Sequence, residues 1–107
     1  MDKLYVVTRE DLPPGPQAVQ ACHAARAYAH AHPEIERRWF DESNHLAVLS
    51  VPNERALENL IEKAERRGIT YAVFREPYLE NRVTAVALEP GDTGRRLCSG
   101  LPLALRV

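Results

Sequence analysis

The chain has 107 residues, 45% hydrophobic and 27% charged, which suffices for one hydrophobic core but not two and is too apolar for a disordered segment. A formal net charge of -1 gives no bulk electrostatic sign of a nucleic-acid binder, but a neutral total can hide a local basic patch, so charge leaves the partner open. Cys22 and Cys98 lack metal or redox spacing and read as thiols, no apolar run approaches the ~20 residues of a membrane span, and Met1 to Lys3 carries no export signal, so the expected compartment is the cytoplasm.

Leu4 to Thr8 (LYVVT) is a nearly continuous apolar run with β-branched residues, which predicts a central strand covered on both faces. Arg9-Glu10-Asp11-Leu12 turns polar. Pro13-Pro14-Gly15-Pro16 then stops the strand, because proline has no N–H for a ladder. Pro16 suits the first turn of a helix, where a missing N–H has no partner to lose, so a helix is expected from Pro16 to about His32, with Pro33 after it. The 3.6-residue period aligns Pro16, Gln20, His23, Ala27 and His30 on one stripe, while alanines fill most other faces and permit close docking on a sheet.

Glu34 to Phe40 adds a helical turn or two, with Trp39 and Phe40 as anchors onto the core, and Asp41 to Asn44 is a polar turn. Leu46 to Val51 is a second buried-type strand. Asn53 is placed to cap a helix from Glu54 to Arg67, in which Leu57, Leu60, Ile61 and Ala64 recur at helical spacing; Arg66, Arg67 and Gly68 suit its end. Tyr71 to Phe74 and Val83 to Leu88 are the third and fourth strands. The segment REPYLENR between them is too short for a helical crossover, so this pair is antiparallel. Gly91 to Leu97 forms one short helix, and the apolar tail Leu101 to Val107 packs back. The order β-α-β-α-β-β in a single domain, residues 1–107, predicts an α/β fold: three layers, α/β/α, around a four-stranded mixed, mostly parallel sheet whose last strand is antiparallel.

In such folds ligands gather at the carboxyl ends of the strands. That edge collects Arg9, Asp11, the start of the first helix and the loop after the third strand. His23 is the side chain best poised for proton transfer near neutral pH, with Glu76 or Asp11 as partner, or else it is a helix histidine hydrogen-bonded to a neighbouring loop. Gln20 either orients substrate or is a structural amide. Glu76 either activates water or holds His23, with Arg75 tuning its charge, or else forms an exposed pair with Arg75. Thr84 reaches the site or fills a strand position. Arg9, Arg26, Arg75 and Arg82 are the basic set assignable to one side, or a solvated surface. Neither metal nor other cofactor is expected. His23 and His30 stand about 10 Å apart along the helix, His30 and His32 face different ways, and the neighbours Cys22 and His23 diverge.

The run Arg9-Glu10-Asp11-Leu12, followed by Gly15-Pro16-Gln17-Ala18-Val19-Gln20-Ala21-Cys22-His23-Ala24, resembles the type II peptidyl-tRNA hydrolases. Their pattern is Arg-x-Asp-Leu, then Gly-Lys-x-Ala-Ala-Gln-x-x-His-Ala. The resemblance extends to the tryptophan before the second strand, to Thr84 and to the leucine-rich end at Leu101 to Leu105. It implies hydrolysis of the ester joining a peptide to the tRNA 3′ ribose, with His23 and Glu76 handling the proton and Gln20 and Thr84 positioning. Arg9, Asp11, Arg75, Asn81 and Arg82 would meet the substrate, the last two at the acceptor end. The implied partner is peptidyl-tRNA, the implied assembly a homodimer away from any membrane, and the branch a divergent bacterial or phage one. Two places depart from the pattern. Pro16 stands where the family carries lysine, which removes an ammonium and an N–H and makes the helix start a poor anion cradle. Arg75 to Asn81 replaces a longer loop richer in glycine and threonine. A non-catalytic module recognising RNA or protein, or a hydrolase for another small ester or amide, are the alternative readings.

Overall fold

The computed structural model describes residues 2–106. The elements are β1 (Lys3–Arg9), α1 (Pro14–Ala31), α2 (Pro33–Glu42), β2 (His45–Val51), α3 (Glu54–Arg66), β3 (Tyr71–Glu76), a 3-10 turn (Pro77–Leu79), β4 (Arg82–Leu88) and α4 (Asp92–Leu97). The strands lie in the order β2-β1-β4-β3. β1 and β2 are parallel, while β4 runs antiparallel to both β1 and β3. The expected mixed sheet with an antiparallel last strand is present. "Mostly parallel" holds only for strand direction: by inserting between β1 and β3, β4 leaves β1 with β2 as the sole parallel pair among the described strands.

The two faces of the sheet have different chemistry. Against one face, α1 and α2 pack on Leu4, Val6, Ala72, Ala85 and Ala87 through Ala21, Ala24, Tyr28 and Trp39. Alanine meeting alanine brings α1 close to the sheet, and the one bulky side chain in its middle, fully buried Tyr28, donates or accepts a hydrogen bond with Thr70 Oγ1 at 2.8 Å. Against the other face, α3 and α4 enclose a branched aliphatic core of Val7, Leu49, Val51, Leu57, Leu60, Val83, Val86 and Leu88. At the start of α3 the Asn53 side chain accepts from the Ala56 N–H. Its end is a Schellman motif, with Gly68 N–H on Glu65 O, Ile69 N–H on Ala64 O and Gly68 at φ +68°.

Several boundaries and roles differ from the sequence reading, among them β3, which runs on to Glu76 and so holds Arg75 and Glu76 in the strand and not in the loop after it. α1 begins at Pro14, not Pro16, because a first turn tolerates both prolines; its first bond is from Gln17 N–H to Pro13 O. α2 continues to Glu42, so the polar turn shrinks to Ser43 and Asn44, with Asn44 at φ +59°. Trp39 is a core anchor whose Nε1–H donates to His45 O at 3.0 Å, but Phe40, its neighbour on the helix, points outward and is 59% exposed. The tail does pack back, by backbone pairing along the outer edge of β2: Ser50 N–H donates to Pro102 O, and Ala104 N–H to Val48 O. Its Leu103 and Leu105 side chains stay exposed, and Val107 lies outside the described residues.

Candidate active site

The carboxyl ends of β1, β2 and β3 and the amino end of β4 share one edge with the start of α1. At that edge the β3–β4 ladder slips. Phe74 faces Ala85 and Arg75 faces Val83, so Thr84 is an extra residue on β4, a β-bulge. Beyond the bulge the alternation of β4 is reset. Val83 joins Val86 and Leu88 on the α3 side, and Thr84 turns with Ala85 and Ala87 toward α1.

The bulge puts a fully buried hydroxyl next to Gln20, whose own side chain is 96% buried by the same packing (4% exposed). Thr84 Oγ1–H donates to Gln20 Oε1 at 2.7 Å, and Gln20 Nε2–H donates to Glu76 Oε1 at 2.9 Å. The carboxylate needs a donor facing it, which settles the orientation of the amide. The threonine then locks that orientation from behind. Glu76 is further held through Oε2, which accepts from Tyr78 N–H at 3.3 Å at the start of the 3-10 turn. Thr84, Gln20 and Glu76 thus form a chain running from the buried strand to a half-exposed carboxylate.

The carboxylate borders an open groove of about 510 Å³ lined by Leu12, Pro13, Gly15, Pro16, Val19, Gln20, Glu76 and Leu79. Pro16 belongs to an apolar wall here. Pro14 and Pro16 have no N–H and that of Gln17 is bonded to Pro13 O, so in the first turn of α1 only Gly15 has an N–H to offer. Gln17 is turned away from Glu76. Its Nε2 donates to Leu12 O at 2.6 Å and secures the loop between β1 and α1.

His23, one turn beyond Gln20, is exposed and has no hydrogen-bond partner among the described residues. Its ring lies flat on Phe74, with centroids 4.3 Å apart and planes 11° from parallel. It is bonded to neither Glu76 nor Asp11, so the expected His–carboxylate pair is absent among the described contacts. Asp11 accepts from Arg9 through both carboxylate oxygens, from Nε and from Nη2, each at 3.0 Å. Arg9 is 8% exposed, and its Nη1 donates to Val83 O at 3.0 Å. The hydrogen bond to Asp11, with the charges of Asp11, Glu54 and Glu58, raises the guanidinium pKa against the opposing effect of burial. Glu54 Oε2 accepts the Val83 N–H, and Thr8 Oγ1–H donates to Thr84 O. Arg9, Glu54 and Thr8 therefore satisfy the backbone that the bulge takes out of the ladder.

Arg75 is separated from Glu76 by the alternation of β3. It points to the α3 side among Glu58, Glu62, Glu65 and Tyr71, so it is not placed to tune the Glu76 charge. Asn81 and Arg82 are exposed where the loop re-enters the sheet; Asn81 N–H closes the turn onto Glu76 O. Among the described residues no three His, Cys, Asp or Glu side chains are grouped to hold a metal ion, and no helix is long and apolar enough to cross a membrane. Sequence reasoning passed over the apolar wall of Leu12, Pro13, Val19 and Leu79 and the ring of Phe74. Val19 in particular carried a signal, being a large apolar residue on the same helix face as His23, four positions earlier.

The family model described as Peptidyl-tRNA hydrolase PTH2 matches residues 2–95. A peptidyl-tRNA hydrolase of Thermococcus sibiricus (strain DSM 12597 / MM 739) is 32% identical, over 83% of this chain and 84% of that protein. A solved structure of a protein of unknown function from Agrobacterium tumefaciens str. C58 superposes with a TM-score of 0.71 at 16% identity, covering 95% of this chain and 96% of that one, which is a likeness of fold. With the family model spanning nearly all of the sheet and helices just described, the chain belongs to the peptidyl-tRNA hydrolase PTH2 family.

Proposed function

We infer that this protein hydrolyses the ester of peptidyl-tRNA, releasing peptide and tRNA, with Glu76 as the group that takes the proton from the attacking water. The observation that carries this reading is the chain from Thr84 through Gln20, which holds one carboxylate at the wall of an open groove. Water would add to the ester carbonyl as its proton passes to Glu76; collapse of the tetrahedral intermediate then breaks the bond to the ribose oxygen, which takes the proton back. The Gln20 donor keeps the carboxylate oriented. Thr84 is buried and acts through Gln20, as a positioning residue. Asn81 and Arg82, exposed where the loop re-enters the sheet after Glu76, are suited to meet the acceptor end, whereas Arg9 and Asp11 are occupied with each other and with the bulge. The apolar wall at Pro13, Pro16, Val19 and Leu79 suits side chains of the peptide near the ester.

Incubation of the purified protein with peptidyl-tRNA, followed by separation of released peptide, tests this directly. Release by the wild type that falls at least a hundredfold in Glu76→Gln is expected. An inactive wild type that still binds the RNA would leave a non-catalytic module instead.

A further inference from the structure

We propose that His23, braced flat on Phe74, is a stacking platform for the unpaired terminal base of the RNA, and not a proton carrier. This rests on the hydrolase reading above for the identity of the RNA, and on geometry of its own for the contact. A structural histidine is normally hydrogen-bonded, and a general base is normally oriented by an acid. His23 has neither partner among the described residues; what fixes its ring is the parallel contact with Phe74 at 4.3 Å, which leaves its other side toward solvent. A flat, exposed, preoriented ring is suited to an unstacked nucleobase, because every base has a π-face.

The position agrees with this. α1 descends along β3 so that Gln20 meets Glu76 and His23 meets Phe74. Phe74 and Glu76 are alternate residues of one strand, about 7 Å apart, a separation comparable to that between the 3′-oxygen of a nucleoside and its base. An ester at Glu76 would therefore bring the base of the same nucleotide to His23. The surrounding charge also agrees. α1 contains no acidic residue and presents Arg26 one turn beyond His23. The α1 surface next to His23 therefore carries a cation and no helix carboxylate to repel a phosphate. Tyr78, 95% exposed on the turn directly after Glu76, is a second aromatic at the same edge for the adjoining base.

The test is binding, at one fixed salt concentration, of a short RNA hairpin ending in three unpaired nucleotides, against the same hairpin with an abasic terminal nucleotide. Wild type should prefer the intact end by about five- to a hundredfold. His23→Ala should lose that preference and His23→Phe, which stacks but cannot carry a proton, should restore it. In peptidyl-tRNA hydrolysis His23→Ala should raise KM with kcat changed less than about threefold, where loss of a general base would lower kcat by at least about a hundredfold. Equal binding of the two hairpins, or a His23→Phe variant no better than His23→Ala, overturns the platform. Displacement of the intact hairpin by a phenylalanine-bearing peptide more readily than by free adenosine overturns it in favour of a peptide side chain. If wild type discriminates the hairpins but releases no peptide, the platform stands and the hydrolase reading falls; release without discrimination does the reverse.

Discussion

The two sides of β4 at the bulge hold similar polar groups to opposite ends. On the α3 side, Arg9 is held by Asp11 and Val83 O, and Glu54 takes the Val83 N–H. On the α1 side, Thr84 and Gln20 are just as buried, but their chain of bonds ends on a carboxylate that faces a groove. The closed side satisfies a distorted backbone, and the open side uses that distortion to aim a functional group. A buried charge or hydroxyl at a strand edge is thus read by where its last hydrogen bond goes.

Removing the open end should have the largest effect. Glu76→Gln keeps the size and the contact to Gln20 while removing the base, and should reduce peptide release by about 10²- to 10⁴-fold with the melting temperature nearly unchanged. On the closed side the order reverses. Arg9→Met leaves Val83 O and Asp11 without their donor and should destabilise the fold by about 2–3 kcal/mol in urea unfolding, discounting for the exposure of Asp11. Activity at a temperature where the variant is folded should fall less than in Glu76→Gln.

Thr84→Val joins the two sides. It preserves volume at the bulge but strands Gln20 Oε1, which should destabilise by about 1–2 kcal/mol. Peptide release should fall about tenfold through kcat, because the donor to Glu76 is no longer held. A Thr84→Ser variant, which restores the hydroxyl, should recover most of the kcat.

Smaller effects sharpen the contrast. Glu80 sits at φ +57°, a left-handed conformation in the turn that carries the Glu76 cap, so Glu80→Gly should raise stability by about 0.5–1 kcal/mol in urea unfolding. The two thiols report on the two sides. Cys22 is exposed on α1, while burial on the α3 side pushes the Cys98 thiol up to about 12. One equivalent of a thiol reagent should react with folded protein at pH 8 and two after unfolding. Because the folded value lies above the unfolded one, the stability gained from neutral Cys98 is complete below about pH 9 and is lost as the pH rises toward 12.

The sequence by itself determined the elements and the direction of β4, because these follow from local terms: the apolar periods, prolines that stop β1 and open α1, the Asn53 cap, the Gly68 terminus, and a β3–β4 connection too short for a crossover. It also singled out Gln20, Glu76 and Thr84 as residues of interest. Tertiary structure alone decided their relation. Strict alternation along VTAVAL places Thr84 with Val86 and Leu88 toward α3; one extra residue in the ladder turns it to α1 and thereby builds the chain to Glu76. Arg9 and Arg75 read as a shared basic set, yet strand alternation and burial send both to the α3 side. His23 read as a proton carrier because its chemistry permits one, and only the packing of α1 on β3 shows its ring resting on Phe74. Local chemistry names the groups that are able to react, but a register shift of a single residue selects which of them meet.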